Sequence, residues 1–249
     1  MLILAYVFHR LIILLLAVFG VSVITFIVTR VLPGNPAYLI VGVQADQSTV
    51  DAVIDRLGLD KPILEQYWLY MRQLVLGDLG TSWRTGNPVT FDLSSRWPAT
   101  LELASIAMIF AIMWSIPLGL ISSIKKRSLS DYIAKFLSGL GVAIPEFWLA
   151  TLLILVFFAG FEIAPAPIGR IMLASPPESI TGMYILDSVI TGNWESFSAS
   201  VAQIILPAST LAITIGAPLL RVTRTFMNEV LDSQFIRSAR AMGIPKSSI

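Results

Sequence analysis

The stretch Leu11 to Thr29, LIILLLAVFGVSVITFIVT, holds nineteen residues without a charge, bracketed by Arg10 and Arg30. At about 1.5 Å per residue, a helix of that length just crosses the hydrocarbon core of a bilayer. A secretory signal has a shorter apolar core and a small-residue cleavage site, and no such site precedes Leu32-Pro33-Gly34, so the stretch reads as a first membrane span. Composition agrees. Of 249 residues, 55% are hydrophobic and only 13% charged, with a mean hydropathy of +0.78, whereas a soluble domain carries about a quarter charged residues.

Leu103 to Ile124 is uncharged over twenty-two residues and reads as a second span. Phe136 to Phe161 is the third, interrupted by Pro145-Glu146, and Phe197 to Leu220 the fourth, carrying Pro207, Gly216 and Pro218. Proline and glycine are tolerated in membrane helices where neighbours re-satisfy the backbone. The expected fold class is an all-α integral membrane protein. Lys125, Lys126, Arg127 and Lys135 crowd the link between spans two and three. Arg221, Arg224, Arg237, Arg240 and Lys246 follow span four, and Arg170 is the only basic residue between spans three and four. Positive charge stays inside, so both clusters and the N-terminus are expected in the cytoplasm, and residues 33–98 and 162–196 outside.

The first outer segment has helical punctuation. Ser48 with Asp51 resembles a capping box, and Gly58 closes that helix. Pro62 then opens a second, in which Ile63, Tyr67, Tyr70 and Leu74 recur at helical spacing until Gly77. This gives three regions: 1–31 with the first span, 32–98 as an extracytoplasmic helical cap, and 99–249 with the other spans.

Several chemistries drop out. There is no cysteine and one histidine, His9, which removes disulfides, thiolate metal sites, a Cys nucleophile and most zinc or Ser-His arrangements. No Gly-x4-Gly-Lys-Ser/Thr loop, H-E-x-x-H or G-x-S-x-G occurs, and a formal charge of +1 offers no nucleic-acid surface. Gly139-Leu140-Gly141 lies inside a span and reads as helix-packing glycine, not as a dinucleotide motif. No catalytic, cofactor-binding or metal residue is expected.

Two places carry functional promise. Glu146 is the acid near the middle of a span, where a charge costs about 2.5 to 3.5 kcal/mol unless it faces protein or water. With Pro145 bending the helix it is a candidate for the translocation path; an acid buried between helices fits the same pattern. Glu102, at the outer end of span two, reads as interfacial. Past span four, Met227 to Met242 is amphipathic: Val230, Phe235, Ile236 and Ala239 form its apolar side, and Gly243-Ile244-Pro245 ends it. Such a helix either rests on lipid or docks a soluble partner.

Eight strings along the chain resemble one family, the inner-membrane permease of dipeptide, oligopeptide and nickel ABC importers. They are LPGNPA (Leu32 to Ala37), LGLDKP (Leu57 to Pro62), GDLGTSW (Gly77 to Trp83), PATLELA (Pro98 to Ala104), IPEFWLA (Ile144 to Ala150), LDSVITGNW (Leu186 to Trp194), ILPASTLAI (Ile205 to Ile213) and RSARAMG (Arg237 to Gly243). The long segment after span one resembles the first of the two non-identical permeases. The resemblance implies a type I ABC importer transmembrane domain that is C-terminally incomplete, since the chain stops at Ile249 ahead of the family's last two spans. It implies a non-catalytic pathway subunit, most readily for di- or oligopeptides, with nickel chelates, opines and oligosaccharides also open.

The implied partners are a second homologous permease, cytoplasmic ABC ATPases that bind ATP and Mg, and an extracytoplasmic substrate-binding protein, all in the cell inner membrane or at its faces. RSARAMG sits where the family has its Glu-Ala-Ala-x3-Gly coupling motif. That places Arg237, Ser238, Ala239, Arg240 and Gly243 on a coupling helix, with Arg237 replacing the Glu and the small Ala239 on the docking face. Gln203, just ahead of ILPA, stands where many relatives have His. The rival reading from another class is an ion-coupled secondary transporter or channel that uses Glu146 and broken helices.

Overall fold

The structure, a computed structural model, describes residues 2–31, 37–38, 42, 45–82, 84–172 and 174–245. Leu32 to Pro36 of the first string, Trp83 and Lys246 lie outside the described residues. Among the described residues the regular elements are all helices, with one isolated bridge between Thr81 and Pro88. The helices are α1 (Leu2–Val31), α2 (Gln47–Leu57), α3 (Ile63–Val75), α4 (Val89–Ile124), α5 (Leu129–Ala143), α6 (Glu146–Ile154), α7 (Tyr184–Thr191), α8 (Trp194–Leu231) and α9 (Gln234–Ala241). A wide π-type turn, Leu155–Gly160, extends α6. Three described stretches are long and apolar enough to cross a membrane: Leu4–Val28, Val89–Ile124 and Trp194–Leu231. The pair α5 and α6 makes a fourth only if counted together, because the two are bent by 105°. The third span, expected over Phe136 to Phe161 with an interruption at Pro145-Glu146, is a pair of helices sharply bent at that interruption.

The chain forms two compact units, Met1–Ser95 and Arg96–Ile249. In the first, Asp46 and not Ser48 heads α2: its carboxylate accepts from the hydroxyls of Ser48 and of Thr49, the latter at 2.8 Å. Ser48 is already helical, and Asp51 instead accepts from Gln47 Nε2 at 2.9 Å, so the expected capping box does not form; Asp46 holds the N-cap position and bonds side-chain hydroxyls of the first turn, not its backbone N–H groups. Gly58 closes α2 at φ +60°. On α3, Tyr67 and Tyr70 pack on α1, with ring centroids 5.2 and 5.8 Å from Phe26. Tyr67 Oη and Ser22 Oγ share a hydrogen bond of 2.9 Å. Ile63, expected on the same stripe, stays exposed.

In the second unit α8 is the hub. Ala107, Ala111 and Ser115 of α4 are buried at every fourth position, and so are Ala208, Ala212 and Gly216 of α8. Small residues let backbones approach where lipid offers no hydrophobic drive to pair helices. The approach is tight: a Cβ on Gly141 of α5 would lie 2.4 Å from Ala217 Cβ, and one on Gly216 2.5 Å from the Trp114 ring. Trp114 Nε1 donates to the Ala212 carbonyl at 3.2 Å. Of the two glycines expected to pack helices, Gly141 does so, while Gly139 faces open space.

The segment ahead of α7 is organised by Asp187, which is fully buried. Its Oδ1 accepts from the Thr181 N–H at 2.8 Å and the Thr181 hydroxyl at 2.7 Å. Oδ2 accepts from the N–H of Gly182 at 2.9 Å and of Ile180 at 3.2 Å. Burial pushes this carboxyl up, but the Thr181 hydroxyl and the three N–H groups outweigh it and hold the group below its ordinary value.

Two predictions follow from these contacts. Gly141→Ala should lower the thermal unfolding midpoint in detergent, in line with the roughly 1–3 kcal/mol cost of overpacking. Gly139→Ala should leave it unchanged or raise it, through an Ala advantage of about 1 kcal/mol in a helix; equal losses would refute the packing role assigned to Gly141. Asp187, with its pKa depressed by folding, stabilises the fold above the unfolded-state value, and that contribution is lost as pH falls through the folded-state value. The gap in unfolding midpoint between parent and Asp187→Asn should therefore be open at neutral pH and close below about pH 3.9. A gap independent of pH would show that the carboxylate charge is not what the segment uses.

Candidate functional site

The sequence candidates fall in two places. The first is the break between α5 and α6. Pro145 has no N–H, and Ile144 before it is extended at φ −83° and ψ 125°, as steric conflict with a following proline requires. The last bond of α5 is Ile144 N–H to the Leu140 carbonyl at 2.9 Å, and α6 restarts with Trp148 N–H on the Pro145 carbonyl at 3.1 Å. Glu146 is thus the first residue of α6, where a carboxylate complements the partial positive charge of a helix N-terminus. Pro145 and Glu146 are both exposed, and Glu146 makes no hydrogen bond or ion pair among the described residues. The reading of an acid buried between helices is not what this chain shows.

The second place is α9. The single helix expected from Met227 to Met242 is two: α8 continues to Leu231, the chain turns at Asp232-Ser233, and α9 starts under a Ser233 cap whose Oγ accepts from the Ile236 N–H at 3.5 Å. Gly243, at φ +77°, ends it in the left-handed region, with Ile244 N–H reaching the Ala239 carbonyl at 3.2 Å. Ile236 and Ala239, the latter expected on the docking face, are covered by their own chain, at 4% and 6% exposure. The outward face carries Phe235, Ser238 and Met242, at i, i+3 and i+7, with Phe235 78% and Met242 73% exposed. Arg237 and Arg240 are exposed and make no ion pair among the described residues.

The turn into α9 is tied to the α4–α5 link. Lys126 Nζ lies 3.1 Å from Asp232. Deeper in, Asp131 is 2% exposed, pairs with Arg224 Nη2 at 2.7 Å, and accepts from Arg224 Nε at 3.0 Å, Lys135 Nζ at 2.9 Å and the Arg127 N–H at 3.1 Å. A carboxylate so buried is tolerable only when paired and hydrogen-bonded on every side. Arg224, counted among the basic residues that set orientation, is therefore also a structural counter-ion.

Two features escaped the sequence reading. Glu102 is buried within its own chain, with Oε2 2.8 Å from Arg170 Nη2 and Oε1 accepting the Ile185 N–H at 2.6 Å. The same Arg170 nitrogen donates to the Gly182 carbonyl at 2.9 Å, and the guanidinium stacks 3.8 Å from the Tyr184 ring centre. The available signal was that Arg170 is the lone basic residue of its loop, but periodicity cannot pair residues this far apart. Below this pair lie two adjoining cavities of about 230 and 290 Å³ that share Gly169, Gln203 and Pro207 in their walls. Among the described residues no group of acids or histidine could hold a metal ion.

Comparison with known proteins gives these features a context. Residues 3–104 match the family model of the binding-protein-dependent transport system membrane component, N-terminal part. Residues 115–249 match that of the binding-protein-dependent transport system inner membrane component. The chain is 40% identical over 233 residues to a probable D,D-dipeptide transport system permease of Escherichia coli K12, covering 93% of this chain and 68% of that protein. It is 39% identical over 240 residues to a dipeptide transport system permease of Alkalihalophilus pseudofirmus, covering 96% and 72%. A glutathione transport system permease of Escherichia coli O6:H1 is 31% identical over 242 residues, covering 97% and 70%. The chain belongs to the binding-protein-dependent transport system inner membrane component family.

Proposed function

We propose that this chain is one of two homologous permease subunits lining the pathway of an ATP-driven importer for di- or oligopeptides. The observation that carries the substrate class is the match over nearly the whole chain to permeases named for dipeptide transport. The subunit itself is non-catalytic; ATP and Mg belong to partner ATPases. An extracytoplasmic binding protein delivers the peptide. The rival reading, an ion-coupled transporter or channel built on Glu146, loses support: this acid starts a helix on an exposed face, and the family is that of binding-protein-dependent systems.

In this reading the N-terminus, the Lys125 to Arg127 link and α9 face the cytoplasm, in keeping with their basic residues. Residues 32–98 form the extracytoplasmic cap and residues 99–249 the transmembrane domain proper. The helix α9 couples to an ATPase through its outward face. Ile236 and Ala239 seat it on its own chain, Phe235 and Met242 offer apolar anchors, and Arg237, Ser238 and Arg240 supply the polar rim; Gly243 permits the turn that follows. Pro145 and Glu146 stand at the pathway, where an unpaired carboxylate at a helix break meets the cationic end of a peptide.

Orientation is checked by single cysteines in a chain that has none. Ser48→Cys and Ser179→Cys, both at exposed positions, should react with an impermeant maleimide in intact cells and Ser128→Cys should not; labelling at Ser128 from outside would invert the topology. The pathway and coupling roles are tested in the assembled importer with all its subunits. Glu146→Gln should lower peptide uptake about tenfold, the value of one charged contact, with assembly unchanged. Phe235→Asp and Met242→Asp should release the ATPase while the chain still inserts, and Ala239→Arg should unseat α9 itself, lowering thermal stability. Full retention of the ATPase by both outward-face variants would leave α9 a lipid-resting helix.

A further inference from the structure

The two cavities between α4, α8 and the 165–170 segment hold more hydrogen-bonding capacity than the chain uses. Gln203 is 9% exposed and Ser200 2%, and both line the larger cavity. Neither Gln203 Nε2 nor Ser200 Oγ has a hydrogen-bond partner. Buried polar atoms without a partner are rare in folded proteins, and each calls for a water, an ion or a ligand group. Pro207, one turn along α8 and in the wall of both cavities, has no N–H to give to the Gln203 carbonyl. Arg170 lines the larger cavity as well; its hydrogen bonds to Glu102 and Gly182 both leave from Nη2, so Nε and Nη1 carry none.

The atoms left over include donors. The amide NH2 of Gln203, the hydroxyl of Ser200 and the unused N–H groups of Arg170 can all meet an acceptor, beside the Gln203 carbonyl and the Glu102 carboxylate that already pairs Arg170 in the same wall. Three donors converging there can hold a carboxylate, which only accepts. The remaining walls, such as Leu103, Ile204 and Pro207, are apolar and suit a short side chain. The larger cavity sits at the small end of ligand pockets, which run from about 300 to 1,000 Å³. We propose that these adjoining cavities are a binding site for the carboxylate end of a short peptide in transit, held by Gln203 Nε2, Ser200 Oγ and the unused N–H groups of Arg170. The assignment rests on the reading of this chain as a peptide pathway subunit, and it gives that pathway a resting point within this one subunit. Glu102, in the wall of the same cavity, fixes Arg170 through its ion pair and is a positioning residue.

The test uses the full chain in its assembled importer, purified in detergent without the binding protein or ATP, and measures equilibrium binding of labelled dialanine and of dialanine C-terminal amide. Dialanine should bind saturably and the amide about tenfold more weakly, the loss expected for one charge-assisted hydrogen bond. Ser200→Ala, Gln203→Leu and the shape-conserving Gln203→Glu should each weaken dialanine about tenfold or more, Gln203→Glu most, with amide binding little changed. Thermal unfolding of each variant identifies those that remain folded, and Ser200→Ala, the least intrusive, decides if the Gln203 variants do not. No binding of dialanine by the parent, equal binding of acid and amide, or unaltered dialanine binding by folded variants would overturn the site and leave cavities that hold only water. ATP-dependent uptake of dialanine by the same parent complex, measured alongside, separates the two readings: uptake without the site sinks the site alone, and absent uptake sinks the pathway reading beneath it.

Discussion

The structure of the second unit depends on how closely α8 is approached. In a bilayer the lipid tails are as apolar as leucine, so nothing like the hydrophobic effect presses helices together, and contact area must come from backbones that meet. Gly141 against Ala217, Gly119 against Thr223 and Gly216 against Trp114 are places where even a methyl group would collide. Once these contacts fix α4 and α5 on α8, the ends of the helices are placed as well. The link after α4 comes within reach of the turn after α8, and Lys126 meets Asp232.

Charge then finishes what packing begins. Asp131 gathers Arg224, Lys135 and the Arg127 N–H at one end of the unit, and Glu102 gathers Arg170 and the Ile185 N–H toward the other. Each is an acid too buried to stand alone, and each joins segments distant in sequence. The helix α9 hangs from the first cluster by a two-residue turn, and the cavities around Gln203 lie beside the second. The two regions proposed to serve transport are therefore attached to the two ionic knots of the domain. This arrangement suits a multi-pass inner-membrane permease that has no catalytic group of its own.

What the sequence made legible was whatever repeats locally. Long uncharged runs located α1, α4 and α8, and helical spacing with Pro62 and Gly77 located α3. Eight short strings were sufficient to point to the family. What it withheld depends on tertiary partners. The length of α4 back to Val89 passes through charged residues that hydropathy alone excludes. The bend at Pro145 was visible in the sequence, but not its size of 105°, which packing against α8 decides. The inward face of α9 could not be read because Phe235, Ile236 and Ala239 are all apolar, and only packing decides which of them turns to the chain. Glu102 read as interfacial because its counter-ion, Arg170, lies in a loop with no periodicity of its own.

The central claim is that this chain forms part of a pathway driven by ATP and not by an ion gradient. The most direct measurement is accumulation of a labelled dipeptide in proteoliposomes that contain the chain with its co-encoded subunits and binding protein. Uptake should require ATP and the binding protein, and should persist when ionophores collapse proton and sodium gradients. Uptake by the chain alone, driven by an imposed gradient and indifferent to ATP, would contradict the account.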